Sequence, residues 1–232
     1  MHIVTPTEIK SVAWEGALEA AQVAYSISKS EPPVLTVGTP EVWPVAEALE
    51  NKAGQKWVAP LGGASYWLVR LACTLREPRG RANITEAQQS LHLRPKNSRA
   101  DDKDTYAFSL FPERVSVEDK AEFNISLGPE LKFGEAVEVK AGEIGAKIEY
   151  RKVFPVIQSY GAGEPDPYWI FKPHAAHPLE GSQFVYAVVA AKSGTDGIQA
   201  NVYVTVTVET QFGPLKYGTP QEAKMHTRFA IP

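Results

Sequence analysis

From Asn201 to Glu209 the chain reads Asn-Val-Tyr-Val-Thr-Val-Thr-Val-Glu, which places Val202, Val204, Val206 and Val208 on one face and Tyr203, Thr205 and Thr207 on the other. Successive side chains of a strand point to opposite sides of a sheet, and β-branched residues suit its pleated surface, so this run predicts a strand with one buried and one wetter face. A second such run begins at Ser65, with Trp67, Val69, Leu71, Cys73 and Leu75 in phase and Leu68, Arg70, Ala72, Thr74 and Arg76 opposite them. Val34 to Val37 is a short apolar strand that ends at Gly38. Weaker alternation predicts further strands near 88–94, 105–111, 121–127, 136–140, 146–158 and 183–191.

Two stretches near the start carry a helical period instead. Trp14, Leu18, Ala21 and Tyr25 recur at spacings of four, three and four, which predicts an amphipathic helix over 14–28 stopped by Pro32-Pro33. A second helix is expected over about 44–53, because Pro44 is tolerated in a first turn and Gly54 can supply a left-handed cap. The expected fold is therefore mainly β. It is an antiparallel β-sandwich or partly open barrel, one domain over 1–232, with an α/β segment of about 1–60 contributing two short helices packed against it.

Length and charge narrow the picture further. A chain of 232 residues buries enough surface to fold without a metal or disulfide. Its 24 basic and 27 acidic residues give a formal charge of -3 with no basic run, which argues against nucleic acid as a partner. The single cysteine, Cys73, allows no internal disulfide, and its phase points it inward as a small hydrophobe. The first residues lack a basic region followed by an apolar stretch, and no apolar run reaches spanning length; no membrane span and a cytoplasmic location are the expectations. The polar run from Lys96 to Asp104 is expected to be a mobile surface loop.

Candidate chemistry gathers in one segment, from Tyr160 to Pro178, where Tyr160, Tyr168, Trp169, Phe171, His174 and His177 stand among four prolines and two glycines. This predicts a stiff, irregular loop whose rings either plug one end of the sandwich or form a contact surface. By strand alternation Tyr168 and Ile170 point one way and Trp169 and Phe171 the other; the isoleucine favours the first pair inside, leaving Trp169 as the exposed contact. His174 and His177 have a spacing that could chelate a metal, with Glu164 and Asp166 as oxygen donors, but the flanking Pro173 and Pro178 forbid the helix on which such pairs usually sit. Ser182 lacks a nucleophile elbow, Gly161-Ala-Gly163 lacks the third glycine of a dinucleotide loop, and no cofactor is expected. Asn83 and Asn124 head glycosylation sequons that matter only in a secreted chain. Arg70, Arg76, Arg79 and Arg81 read as a solvated outer face of a sheet.

The first functional expectation is a non-enzymatic module that binds another protein or a small or glycan ligand through Tyr160, Glu164, Asp166, Tyr168, Trp169, His174 and His177. The alternatives are a metal-dependent or other hydrolase centred on Asp166, His174 and His177, and a structural subunit of a larger assembly, with homo-oligomerisation left open.

Overall fold

A computed structural model describes residues 2–3, 11–17, 34–50, 62–76, 82–97, 101–115, 156–174, 179–212 and 215–232. In chain order these form β1 (His2–Ile3), β2 (Val12–Ala17), β3 (Val34–Gly38), β4 (Glu41–Pro44), helix α1 (Val45–Ala48), β5 (Leu49–Glu50), β6 (Ala64–Arg76) and β7 (Ala82–Pro95). A 3-10 turn (Asp102–Asp104) then leads into β8 (Thr105–Phe111), β9 (Arg114–Val115), β10 (Val156–Tyr160), β11 (Tyr168–Lys172), β12 (Gly181–Lys192), β13 (Ile198–Phe212) and β14 (Leu215–Ile231). Two antiparallel sheets pack together as a β-sandwich. The first has the order β14-β13-β7-β11-β10-β9; the second has β2-β3-β6-β12-β8, with β4 also paired to β6. β1 and β5 pair separately.

The alternation in the sequence builds the interior. From the first sheet come Val202, Val204, Val206 and Val208 of β13, Ala87, Leu91 and Leu93 of β7, and Trp169 and Phe171 of β11; from the second come Val69, Leu71, Cys73 and Leu75 of β6 and Val185, Ala187 and Val189 of β12. All are buried. Each large aliphatic side chain so placed contributes roughly 1.5–3 kcal/mol relative to exposure, so β13 alone anchors its sheet firmly. Cys73 faces inward as expected, and burial raises its pKa to about 12, which keeps it a neutral thiol.

Several expectations change in the structure. Residues 12–17 are a strand, paired from Trp14 with Val37 to Ala17 with Val34, and not the start of a helix. A spacing of four between Trp14 and Leu18 fits either period, and pairing with β3 decides it, since sheet hydrogen bonds outweigh a weak local preference. The rest of the expected first helix lies outside the described residues. The second helix is one turn long, Val45–Ala48, and the chain returns to strand at Leu49. The described part of the N-terminal quarter thus supplies mainly strands. β3 and β4 share one edge of β6, the register slipping by one residue between the Val37 to Cys73 pair and the Glu41 to Arg70 pair, where Pro40 interrupts the ladder.

The central strand β6 is covered on both sides. Val45 and Ala48 of α1 pack with Tyr66, Leu68, Phe111, Val188 and Ala190 in a second cluster on the outward face of the second sheet, with Trp43, Phe108 and Tyr186 against it. Arg70 therefore does not sit on a solvated face: its side chain is 2% exposed, bonded through Nε to Glu41 Oε2 at 2.7 Å and through Nη2 to the same oxygen. Its guanidinium lies 5.3 Å from the Trp43 ring and 5.8 Å from that of Phe184. Arg76, on the same face but at the strand end, is exposed. Arg79, Arg81 and the strands expected at 121–127 and 136–140 lie outside the described residues, as does the start of the one expected over 146–158. Within 96–104, the described Asp102–Asp104 turn is fixed by a capping box in which Asp101 accepts from Lys103 N and Asp104 from Asp101 N.

Candidate functional site

Much of the segment expected to be a loop is sheet. β11 (Tyr168–Lys172) lies between β10 and β7, pairing Tyr168 with Tyr160 on one side and with Ser90 on the other. Only 161–167 connects β10 to β11, and it is bound at both flanks. Leu91 N donates to Pro167 O and Leu93 N to Pro165 O, each at 2.9 Å, so the connection extends the ladder of β7. Gly163 N donates to Ala107 O at 2.7 Å and Ala107 N to Glu164 O at 3.0 Å, which ties the tip to β8 of the other sheet. The turn requires glycine at 161: φ is +83°, and a Cβ there would stand 3.0 Å from Pro167 Cα.

The alternation over 168–171 holds, but in the opposite phase to the one expected. Trp169 and Phe171 are fully buried, while Tyr168 and Ile170 are half-buried on the outward face. The cause is the neighbouring strand. Trp169 stands opposite Gln89 and Phe171 opposite Ala87, both inward positions of β7, and Ala87 leaves room for a large ring that an isoleucine would not fill. Trp169 is therefore a core residue and no contact for a ligand.

The outward face of the first sheet carries a different set. One lateral row runs Tyr160, Tyr168, Ser90, Tyr203 across β10, β11, β7 and β13. The rings of Tyr160 and Tyr168 stack with centroids 5.0 Å apart and planes at 19°. The rings of Tyr203 and His92 meet in a T-shaped arrangement with centroids 4.7 Å apart and planes at 66°. Asp166, carried on the bound connection, receives Arg94 Nη1 at 2.7 Å and Nη2 at 3.0 Å, with His92 Nδ1 3.2 Å from its Oδ1. The hydrogen bonds to Asp166 raise the pKa of Arg94 above its ordinary value, so the pair is a fixed ionic fork. Arg94 Nε is also 3.6 Å from Asp102 of the 3-10 turn. Lys172 pairs with Glu86 at 3.3 Å further along the same face. Gln88 donates to Ser90 Oγ at 3.0 Å, and Arg228 to Asn201 Oδ1 at 3.3 Å.

The expected site residues thus separate. Tyr160, Asp166 and Tyr168 come together, joined by Ser90, His92, Arg94 and Tyr203, which the sequence did not single out. His92 and Arg94 have the same parity as Ser90 on β7, so their meeting with Asp166 follows once the pairing of β7 with β11 is known. The Glu164 side chain is exposed at the tip of the connection. His174 is half-buried just beyond β11, and His177 lies outside the described residues. Among the described residues no three His, Cys, Asp or Glu side chains converge to hold a metal ion. The hydroxyl of Ser182 lies 2.9 Å from that of Thr74, in the other sheet from Asp166 and its partners.

The chain matches no known protein family and no curated protein. Among solved structures it is similar to a pore forming protein, at 8% identity and a TM-score of 0.33 over 85% of this chain and 84% of that one. It is also similar to Clostridium perfringens delta-toxin, at 7% identity and a TM-score of 0.36 over 85% and 88% of the two chains. The collagen binding domain of Erysipelothrix rhusiopathiae surface protein RspB aligns at 7% identity and a TM-score of 0.27, over 86% of this chain and 65% of that chain. At these scores the likeness carries no activity to this chain. Among the described residues no helix is long and apolar enough to cross a membrane.

Proposed function

We propose that the protein works by binding, and that its recognition surface is the outward face of the first sheet where the 161–167 connection meets β7. The observation that carries this reading is the row of tyrosines. Three large apolar side chains are exposed among the described residues, and two of them, Tyr160 at 37% and Tyr203 at 39%, fall in this single row with Tyr168 between them. Aromatic rings offer large contact area for little conformational entropy, and a sheet holds them where they stand, so little ordering free energy opposes association. The ionic fork of Arg94 and Asp166 with His92 adds polar groups at fixed positions beside the rings, the arrangement from which orientation-specific binding is built.

The test is a screen of the full chain against immobilised glycans and proteins, repeated with a Tyr160→Ala/Tyr168→Ala/Tyr203→Ala variant whose melting temperature is checked first. Retained folding with loss of every specific hit supports the reading. Hits that persist in the folded variant overturn it.

A further inference from the structure

The connection of residues 161–167 is bonded to both sheets. We infer that it is a strap that ties their edges together and opens as one unit while both sheets stay folded, with the Arg94–Asp166 ion pair as its latch. The inference concerns the fold and stands apart from the binding face proposed above.

The strap continues β11 along β7 in the same register: Tyr168 stands opposite Ser90, and the next bonds run from Leu91 N to Pro167 O and from Leu93 N to Pro165 O. In a regular antiparallel ladder, residues so placed exchange two bonds, one in each direction. Proline occupies both strap positions and has no N–H to return, so each pair keeps one bond of its two. Toward the second sheet the strap holds a single residue, Ala107 of β8, which accepts from Gly163 N and donates to Glu164 O. Among the described residues, two backbone bonds to each sheet therefore make the tie.

Little apolar burial adds to them. Ala162, Gly163, Glu164 and Asp166 are exposed, and Pro167 alone in the strap is buried. Segments with few buried apolar contacts open at a free energy well below that of global unfolding. The strap opens whole rather than fraying because its own ends are joined. Glu164 N donates to Gly161 O at 3.1 Å, the backbone of Gly161 lies so close to Pro167 that a Cβ would stand 3.0 Å from its Cα, and both prolines have a fixed φ.

The latch also reaches both sheets. Asp166 on the strap receives Nη1 and Nη2 of Arg94 on β7, and Arg94 Nε lies 3.6 Å from Asp102. The 3-10 turn that carries Asp102 is held to the second sheet by Asp104, which receives Lys192 Nζ of β12 at 2.8 Å. Charges thus alternate from the strap through the first sheet to the second. All these side chains are at least partly exposed, so salt weakens the pairs. Open, the strap bares the N–H groups of Leu91 and Leu93 and both backbone groups of Ala107, edge positions that the closed sandwich keeps covered.

The experiment is amide hydrogen exchange of the full chain, followed residue by residue by NMR. The amides of Leu91, Leu93, Ala107 and Gly163 are expected to share one protection factor, below that of the amides bonded between β6 and β12. Asp166→Ala is expected to quicken all four by about threefold while the β6–β12 amides keep their rates. Wild type in about 1 M sodium chloride should show the same selective quickening. Ala107 decides the matter, since it lies on the second sheet and bonds Gly163 and Glu164 but not Asp166. Quickening at Leu91 and Leu93 with Ala107 unchanged would show that the strap does not open as a unit and overturn the inference. Protection of the four amides equal to that of the β6–β12 ladder, or equal quickening of that ladder in the variant, would overturn it as well, because exchange would then pass through global unfolding. Four amides unmoved by Asp166→Ala would remove the ion pair as the latch.

Discussion

Arg70 on β6 and Arg94 on β7 each meet a carboxylate on the outward face of a sheet, yet the side chains of Arg70 and Glu41 are 2% and 9% exposed, while those of Arg94 and Asp166 are 37% and 42% exposed. The difference lies in what covers each face. Helix α1, Trp43 and Phe184 close over β6, so the second sheet has a core on both sides near its centre. Above β7 the described side chains of the first sheet are polar groups, tyrosines and a half-buried Ile170, and its ion pair stays in water. The same chemistry is therefore walled in on one face and open to solvent on the other. Buried, the pair cannot lose a partner without leaving an uncompensated charge; exposed, it is screened and contributes little to folding.

Glu41→Ala should give the largest effect, a loss of about 3–5 kcal/mol in denaturant unfolding, because Arg70 stays behind under the aromatic rings without its carboxylate. A loss below about 1 kcal/mol would show that water reaches Arg70 in solution and would erase the contrast between the faces. Trp169→Ala tests the two sides of β11 in the same way. Its ring is fully buried, so about 3–5 kcal/mol is expected, against a change within about 1 kcal/mol for Tyr168→Ala on the outward side. Comparable losses for the two variants would mean that β11 is not phased as described. Cys73→Ser should cost about 1–3 kcal/mol, and the native thiol should label slowly with a thiol reagent, since its burial keeps it protonated.

These contrasts also mark what could be read from the residues alone. The valines of β13, the strand at Val34–Gly38 and the inward phase of Cys73 are legible, because each depends on a local period with a single interpretation. The phase of β11 is not. Ile170 is the more typical core residue in isolation, and only the pairing with β7, where Ala87 and Gln89 face inward, turns Trp169 and Phe171 into the core. Arg70 misleads for a related reason. Alternation correctly placed it opposite Cys73, but whether that face meets water depends on α1 and β4, which contact β6 across a distance in sequence that no local pattern records. The proposed binding face was half legible: Tyr160, Asp166 and Tyr168 belong to one conspicuous segment, whereas Ser90, His92, Arg94 and Tyr203 come from strands whose outward residues look like ordinary surface.

Asp166→Asn should separate binding from stability on the exposed face. An exposed ion pair contributes about 0–1 kcal/mol, so the melting temperature should move little, while any ligand positioned by Arg94 and His92 should bind more weakly. A loss of stability as large as that of Glu41→Ala would place this fork among the structural pairs and remove it from the proposed binding surface.

The smallest expected effect comes from a third pair, Arg76 and Glu15, at the open end of the covered sheet. The Thr36 hydroxyl donates to Glu15 Oε2 at 2.8 Å and Arg76 Nη2 to the same oxygen at 3.0 Å. The hydrogen bond from Thr36, and then the charge of Arg76, hold the Glu15 carboxyl below its ordinary 4.5. A carboxyl whose native pKa is lowered adds stability that is fully present above the unfolded value and is lost as the pH falls through the native one. Glu15→Gln keeps an oxygen that can accept from Thr36 and removes only the charge that faces Arg76. The variant should therefore melt slightly below wild type at neutral pH, by an amount that shrinks in high salt because both side chains are exposed, and the two curves should converge as the pH falls below 4.5. A gap between the curves that widens in acid would give the carboxyl the opposite sign and mean that Arg76 does not hold it in solution.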